Sequence, residues 1–568
     1  MDLKLIGAEA TEAEKAAIAS AVPEALTVEV PGRVVRIRRD LRHYLLPAID
    51  AVQSAVGWVS PGAVDEIARR LQVPPAEVYG VASFYALVST EPRPPTVAHV
   101  CNDIACGPDL AAALGDRDDV VESPCLGQCD RRPAVFLQRA GTDDVVLAHA
   151  TPDAVLAALD GDVGDDTPGF VSPGPLLARV GNVDPSSLPD YRAAGGYEAL
   201  AKAIEMGPEA VIDEIVASNL RGRGGAAFPT GLKWRGAAGQ PGPRYVICNA
   251  DESEPGTFKD RVVMEGDPFA VVEALTIAGL TVGAEQGYIY IRGEYPLAQR
   301  RLAHAIAEAR RAGLLGDDVM GSGERFDIEI RRGQGAYICG EETALFASIE
   351  GYRGEPRQKP PFPTVAGLFG RPTVVNNVET LINVPRILLE GGAAYAATGT
   401  EDSPGTRLFC LSGNVARPGV YELESGTTLR EAVEAAGGVP EEIPYLLLGG
   451  AAGSLVGSDH WGMPLTFEDS RAAGVTLGSG VIMAFSGSTD MREVVRRIAQ
   501  FFRDESCGQC VPCRIGTVRV EEAIARANGA VDRRLIDDLD RAMQAASICG
   551  LGHTASSVVK SAIELGIL

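Results

Sequence analysis

Aromatic side chains make up only 6% of the 568 residues, histidine occurs six times, and basic charge is outnumbered. Lys and Arg total 52 against 76 Asp and Glu, a net charge of −24. So acidic and ring-poor a chain has neither the basic stripe nor the stacking platforms that nucleic-acid or anionic-membrane binding calls for. The six histidines are scattered, so no His-based acid–base cluster is expected. Long apolar runs are missing too: the most apolar stretch, Phe269 to Ala284, is broken by Glu273 and falls short of the roughly 20 residues of a membrane span. The opening MDLKLIGAEATEAEK lacks a basic segment followed by an apolar core, so no secretory peptide is expected. A cytoplasmic location without direct membrane insertion follows as the expectation.

What is abundant is glycine (65) and clustered cysteine (11), within an ordinary core-forming composition of 46% hydrophobic and 23% charged residues. At roughly 150 residues per domain the length predicts three or four domains. In the cytosol disulfides are rare, so clustered cysteines point to metal.

Residues 40–90 read as helical: Val64 to Leu71 is one helix, and Pro75 opens another with Val78, Val81, Phe84, Tyr85 and Leu87 on its apolar side. Short β-type runs at Thr96–Val100 and Ala134–Leu137 adjoin cysteines, and Asp160 to Pro175 reads as a Gly/Pro/Asp-rich linker. From about 190 to 400, β-like runs (Tyr245–Cys248, Tyr288–Ile291) mix with helices (Pro268–Gly279, Leu297–Arg310), which is an α/β pattern. Residues 407–487 read as a small α+β module. After Met491 the pattern turns helical, with Val494, Val495, Ile498, Phe501 and Phe502 on one face and further helices at 533–545 and 555–565.

Two cysteine sets carry the chemistry. Cys101, Cys106, Cys125 and Cys129 form C-x4-C, an 18-residue gap, then C-x3-C. Four thiolates on two loops can hold a [2Fe–2S] cluster, with structural zinc as the alternative from spacing alone. Cys507, Cys510 and Cys513 form C-x2-C-x2-C, with Cys549 36 positions further on. Three ligands on a turn and a remote fourth are the usual way to hold [4Fe–4S], and Gly508 and Gly550 would let backbone amides approach the sulfides. Cys248, Cys339 and Cys410 lie in apolar runs and read as small hydrophobes.

Residues 221–231, RGRGGAAFPTG, formally contain a Gly-x-Gly-x-x-Ala fingerprint, but the preceding EAVIDEIVASNL is helical rather than a strand. Such a loop can still bring backbone amides to a phosphate or a flat ring. Further polar motifs, NADESEP from Asn249, GQGAYICGEE from Gly333, KPPFP from Lys359 and NNVET from Asn376, adjoin short apolar runs, where a parallel sheet presents its ligand-binding loops.

These motifs resemble the NADH-binding flavoprotein subunit of respiratory complex I and its relatives, the diaphorase subunits of NAD-dependent formate dehydrogenases and NAD-reducing hydrogenases. ESCGQCVPCRIG and GAYICGEETAL carry that resemblance, while VPPAEVYGVASFYAL with the first cysteine set resembles the family's small [2Fe–2S] partner subunit. The resemblance implies a fusion of both, in a multidomain α/β and α+β chain. Its parts would be an N-terminal helical region (1–90), a thioredoxin-like [2Fe–2S] domain (91–160), a linker (161–185), a Rossmann-like FMN/NAD(H) domain (186–400), a β-grasp-like SLBB-type module (401–490) and a helical [4Fe–4S] domain (491–568). Gly222, Arg223, Gly224 and Gly225 would belong to the nucleotide-contacting loop, with Phe228 near the nicotinamide and Lys233 near the flavin. Asn249, Asp251 and Glu254 would meet the flavin or dihydronicotinamide, and Tyr337, Gly340, Glu341 and Glu342 would line the same cleft. Asn376, Asn377 and Thr380 would hold the FMN ribityl phosphate, and Lys359 and Phe362 the NAD(H) phosphates and adenine. Glu254 and Lys233 are the catalytic assignments.

Two departures stand out: Ala227 replaces the family's usual glycine, and the 18-residue gap is shorter than in complex I relatives, a lean toward soluble enzymes. The implied function is the NAD(H)-linked diaphorase (beta) subunit of a soluble formate dehydrogenase, or else the corresponding module of a hydrogenase or of complex I. The chain carries no candidate molybdenum or nickel site. Its implied partner is therefore a large iron–sulfur catalytic subunit, formate dehydrogenase alpha.

Overall fold

A computed structural model describes residues 5–23, 27–30, 33–36, 41–162, 168–438, 443–527 and 529–568, with backbone alone for 27–30 and 33–36. The N-terminal region is helical at Glu12–Ala21, Leu45–Val56, Pro61–Leu71 and Pro75–Ala82, with an antiparallel hairpin of β1 (Thr27–Val30) and β2 (Arg33–Arg36) between the first two. Ser60 caps the third helix by accepting from the Ala63 amide, and Pro61 supplies a first-turn residue that needs no hydrogen-bond acceptor. The fourth helix stops at Ala82, earlier than its apolar pattern predicts; Tyr85 and Leu87 are buried from the turns that follow.

The next unit is a mixed four-stranded sheet in the order β4 (Val120–Ser123), β3 (Thr96–Cys101), β5 (Val135–Arg139) and β6 (Val145–Leu147). The β3–β4 pair is parallel and the other two pairs are antiparallel, and helices Asp109–Leu114 and Pro152–Leu159 complete the small domain. The linker expected at 161–185 takes part in structure at its far end. Phe170–Val171 (β7) pairs with a strand of the third sheet, and the Leu176 and Leu177 amides donate to Glu422 at 2.8 and 3.3 Å.

The largest unit holds a four-stranded sheet in the order β10 (Asp327–Arg332), β9 (Gln286–Ile291), β8 (Tyr245–Ala250) and β11 (Thr373–Asn377), all parallel. The chain builds outward from β8 to β9 and β10, then returns to add β11 on the other side. Helix Pro268–Val282, the most apolar stretch of the sequence, is buried along its length. Its Glu273 is tolerated there because it accepts from Tyr191 Oη at 2.6 Å and from the Tyr197 and Leu200 amides at 2.8 and 3.1 Å.

The third sheet runs β15 (Ser454–Val456), β14 (Tyr445–Leu448), β16 (Val481–Phe485), β12 (Thr406–Gly413), β13 (Gly419–Glu424) and β7, with helix Leu429–Ala435 on its own apolar cluster. The C-terminal region is helical at Met491–Asp504, Val511–Arg526, Arg533–Ala546, Gly550–Thr554 and Ser557–Glu564. Among the described residues no helix is long and apolar enough to cross a membrane.

Candidate functional site

In an open parallel sheet the loops leaving the strand carboxyl ends diverge where the strand order reverses, and a crevice opens there. Here the reversal lies between β8 and β11. A cavity of about 320 Å³ occupies it, walled by Asn249 and the Asp251–Glu254 loop after β8, by Asn377 at the end of β11, and by Gly224 of the glycine loop. Tyr337, Gly340 and Glu341, downstream of β10, close another side. Eight of the expected binding residues thus converge: Gly224, Asn249, Asp251, Glu254, Tyr337, Gly340, Glu341 and Asn377.

The other expected residues stand off the cavity wall. Gly222 closes the glycine loop, its amide donating to the Phe228 carbonyl at 3.0 Å, and Gly225 sits at φ +121°. Arg223 is buried, with its amide on Thr380 Oγ1 at 2.8 Å and its guanidinium on the Pro404 and Thr406 carbonyls at 2.9 and 3.1 Å. Lys233 Nζ donates to the Val375 carbonyl at 2.9 Å, and burial lowers its basicity. Asn376 Oδ1 accepts from Trp234 Nε1 at 2.9 Å. Lys359 is paired with Glu341 and Glu342 at 2.9 and 2.6 Å, while Phe228 and Phe362 are 52% and 58% exposed. Ala227 holds φ +52°, a left-handed conformation that costs an alanine about 1–2 kcal/mol.

Residues not singled out in the sequence also reach the wall, Glu252, Ser253, Thr257, Lys259, Asp260, Ser479 and Leu551 among them, as does Gly550, expected beside the second cysteine set. Lys259 is fully buried between Asp260 (2.8 Å) and Glu379 (3.0 Å). Burial opposes its charge, but these carboxylates outweigh it and hold the ammonium above its ordinary range. Burial raises the Asp251 carboxyl to about 8 against the pull of Arg292. It raises the Glu252 carboxyl to about 7, with the Asp260 charge adding to it and Lys259 opposing. Glu252 accepts from the Asp260 and Arg261 amides at 2.9 and 3.0 Å, which fixes the turn into helix Lys259–Gly266.

The cavity fits a polar cofactor. Asp251 Oδ2 and Ser253 Oγ lie near each other, yet among the described residues neither reaches a partner in hydrogen-bond geometry, although both are buried. A Cβ on Gly224 would approach Asn377 Cβ at 3.1 Å, so the loop comes this close only without a side chain. The volume lies within the ~300–1,000 Å³ of small-molecule sites.

The cysteine sets flank this cavity. Gly550 and Leu551, which wall it, follow Cys549 directly. Cys507, Cys510, Cys513 and Cys549 lie within electrostatic reach of one another. Burial pushes the Cys513 and Cys549 thiols up to about 12 and about 11, and the neighbouring thiols add to that push. The Leu551 and Gly552 amides donate toward Cys549, an arrangement that favours the thiolate a cluster needs. A second cavity, about 400 Å³, shares Ser253 and Tyr337 with the first and reaches Cys125. There the Cys125 and Cys129 sulfurs are 3.4 Å apart, and Cys101 contacts Cys106 and Cys125. The thiols of each set are therefore gathered, the first across an 18-residue gap. The donor chemistry, four sulfurs with amide donors, fits an iron–sulfur cluster at both places. Among the described residues no three His, Cys, Asp or Glu side chains converge on a single-ion point.

Comparison with known proteins assigns the parts. The Nuo51 FMN-binding domain matches residues 215–386, and the NADH-ubiquinone oxidoreductase-F iron–sulfur binding region matches 493–565. A thioredoxin-like [2Fe–2S] ferredoxin matches 33–117 and an SLBB domain matches 408–451. The ferredoxin match stops short of Cys125 and Cys129. The F 2 subunit of NADH-quinone oxidoreductase in Rhizobium meliloti (strain 1021) is 46% identical over 400 residues, 68% of this chain and 94% of that protein. NADP-reducing hydrogenase subunit HndC of Solidesulfovibrio fructosivorans is 43% identical over 68% of this chain and 80% of that protein. A crystal structure of NAD+-reducing [NiFe]-hydrogenase in the H2-reduced state superposes with TM-score 0.78 at 32% identity, covering 93% of this chain and 91% of that chain.

Proposed function

Because the chain belongs to the family of NADH-quinone oxidoreductase F subunits, which are flavin- and iron–sulfur-dependent NADH oxidoreductases, we propose that it is the diaphorase subunit of a soluble, multisubunit NAD-dependent dehydrogenase. In this reading electrons pass between NAD(H), FMN and the cluster at Cys507, Cys510, Cys513 and Cys549, and from there to a large iron–sulfur partner. The observation that carries the reading is the shared wall. One cavity at the sheet's switch point touches the Cys549 loop directly and meets the Cys125 cavity across Ser253 and Tyr337.

When bound there, FMN would supply the exchange of hydride for single electrons. The chain's own residues do the rest. Asn249 is held by its Nδ2 bond to the Gly340 carbonyl at 2.9 Å, so its carbonyl oxygen faces the Asp251 amide at 3.2 Å and shapes the loop. Asp251, with a free buried oxygen, offers an acceptor or, protonated near neutral pH, a donor to a flavin edge. Asn377 caps helix Val378–Glu390 and, with Lys259 Nζ at 3.3 Å, presents polar groups where a phosphate tail would lie. Lys233, the catalytic residue expected near the flavin, is anchored on β11 through the Val375 carbonyl, and Thr380 holds the glycine loop through the Arg223 amide. Glu254, Glu341 and Lys359 form the side for the nicotinamide nucleotide, with the exposed Phe228 for its nicotinamide and Phe362 for its adenine.

The expected second substrate is formate, handled by a formate dehydrogenase alpha partner, with a cytoplasmic location. A hydrogenase large subunit is the second reading, favoured by the structural likeness across 93% of the chain, fused ferredoxin unit included. NADH-dependent reduction of ferricyanide, with FMN and iron released on denaturation, tests the diaphorase; colourless protein lacking both sinks it. The identity of the co-purifying large subunit decides between formate and hydrogen.

A further inference from the structure

Glu254 belongs to the flavin domain, but its carboxylate is held by the β-grasp module. Ser479 Oγ donates to Glu254 Oε2 at 2.6 Å and the Ala452 amide donates to Oε1 at 2.9 Å. Both donors come from loops that flank β14 and β16, 198 and 225 residues later in sequence. The approach is close enough that Gly450, at φ +85°, admits no side chain: a Cβ there would lie 2.6 Å from Glu254 Cδ. Glu254 and Ser479 both face the cavity. A neighbouring contact repeats the pattern, since a Cβ on Gly256 would meet Val481 Cγ1 at 2.8 Å.

A carboxylate has about four acceptor sites. Two are used by the module, one on each oxygen, and this fixes the plane of the group while leaving acceptor capacity on the cavity side. A buried glutamate left to itself would sample several rotamers or take up a proton. Burial does push this carboxyl up, and the Ser479 and Ala452 donors act against that push.

We propose that Ser479, together with the Ala452 amide, is a positioning group for Glu254, so that the β-grasp module forms a working part of the nicotinamide site rather than a spacer between domains. This rests on the reading of Glu254 as an NAD(H)-facing residue. The group recognised is a hydroxyl or amide donor of the nicotinamide nucleotide.

The test uses the holoprotein with NADH as the varied substrate and ferricyanide as acceptor. Ser479→Ala should raise KM for NADH by roughly tenfold, the typical cost of a hydrogen bond to a charged group, with a smaller fall in kcat. FMN content and the reduced [4Fe–4S] spectrum should be unchanged. Ser479→Thr, which keeps the hydroxyl, should restore most of the affinity. Should Ser479→Ala not fold, Ser479→Cys, close to serine in size but a weaker donor, should raise KM likewise. Glu254→Gln and the double variant Glu254→Gln/Ser479→Ala should share one KM, because Ser479 acts through Glu254. Additive effects in the double variant, or an unmoved KM in Ser479→Ala beside a raised one in Glu254→Gln, would overturn the inference and leave the proposed function standing. An unmoved KM in Glu254→Gln would instead remove Glu254 from the site, and with it the role of Ser479.

Discussion

The two thiol sets differ less in their own exposure than in what encloses them. Around Cys125 and Cys129 the enclosure is buried and ionic: Arg261 Nη2 donates to both carboxylate oxygens of Asp130 at 2.7 and 2.9 Å, and its Nε to the Gly127 carbonyl at 3.0 Å. Arg292 joins the same loop to the flavin side, donating to the Cys125 carbonyl at 2.8 Å and the Glu252 carbonyl at 2.7 Å. Around Cys510 the enclosure opens. Val511 and Ile515, on the helix that begins there, are 58% and 50% exposed. The first set is built into the contact between two domains of one chain, whereas the second sits where another chain could approach. On the proposed function, in which two electrons enter together and leave singly, the second set would serve as the exit and the first as a side station.

The largest test of that contrast replaces one ligand in each set. Cys510→Ser should cut electron delivery to the partner by more than roughly 100-fold, since even outer-shell changes at metal sites cost 10–100-fold, while NADH still reduces the flavin. Cys125→Ser should abolish the [2Fe–2S] signal and leave delivery within a few-fold; equal losses would erase the distinction between exit and side station. Next comes the buried pair. Arg261→Met strands Asp130 and should destabilise the protein by about 3–5 kcal/mol, read from the denaturant midpoint; a cost under about 1 kcal/mol would mean the ionic enclosure is not holding the domains. Protons give a smaller effect. Asp251 and Glu252 titrate near 8 and 7 in the folded chain, above their ordinary 3.8 and 4.5. The folded state therefore binds more protons between those limits, and stability falls as pH rises. Flavin-stripped protein should lose about 2 kcal/mol from Asp251 between pH 6 and pH 8, and Asp251→Asn should flatten that part of the profile. The smallest change is on the open side: Val511→Ser should alter stability by less than about 0.5 kcal/mol while weakening co-purification of the large subunit. A large loss of stability would show this surface to be packed after all.

Much of this is legible in the sequence for local reasons. Cysteine spacing marks both sets because ligands to one cluster must crowd onto short loops. The strands Tyr245–Ala250 and Gln286–Ile291 stand out as apolar runs followed by polar loops, and eight of the expected binding residues meet in the cavity. That no strand leads into the glycine loop is equally plain, since the helical run before it is helix Pro208–Ala217. What stays hidden is what depends on distant pairing. Lys259 and Asp260 look like ordinary surface charges until Glu379 and Asn377 are brought against them. Ser479 lies in a Gly-rich turn of another module, and nothing near it in sequence points to Glu254. The two residues of β7 are too few to show periodicity and sit among prolines and glycines. The helix from Pro75 is shorter than its pattern, because Phe84, Tyr85 and Leu87 continue the apolar spacing after the backbone has left the helix.

The strand Phe170–Val171 on the edge of the β-grasp sheet has a consequence for stoichiometry. Where a ferredoxin-like unit and a flavoprotein are separate chains, their ratio depends on concentration and falls apart on dilution. Here the chain passes from one through that strand into the other, so each flavin domain carries its own ferredoxin-like neighbour at an effective concentration that no dilution changes. The contact around Gly127, Asp130 and Arg261 need not be strong enough to capture a free partner; it has to orient one that never leaves.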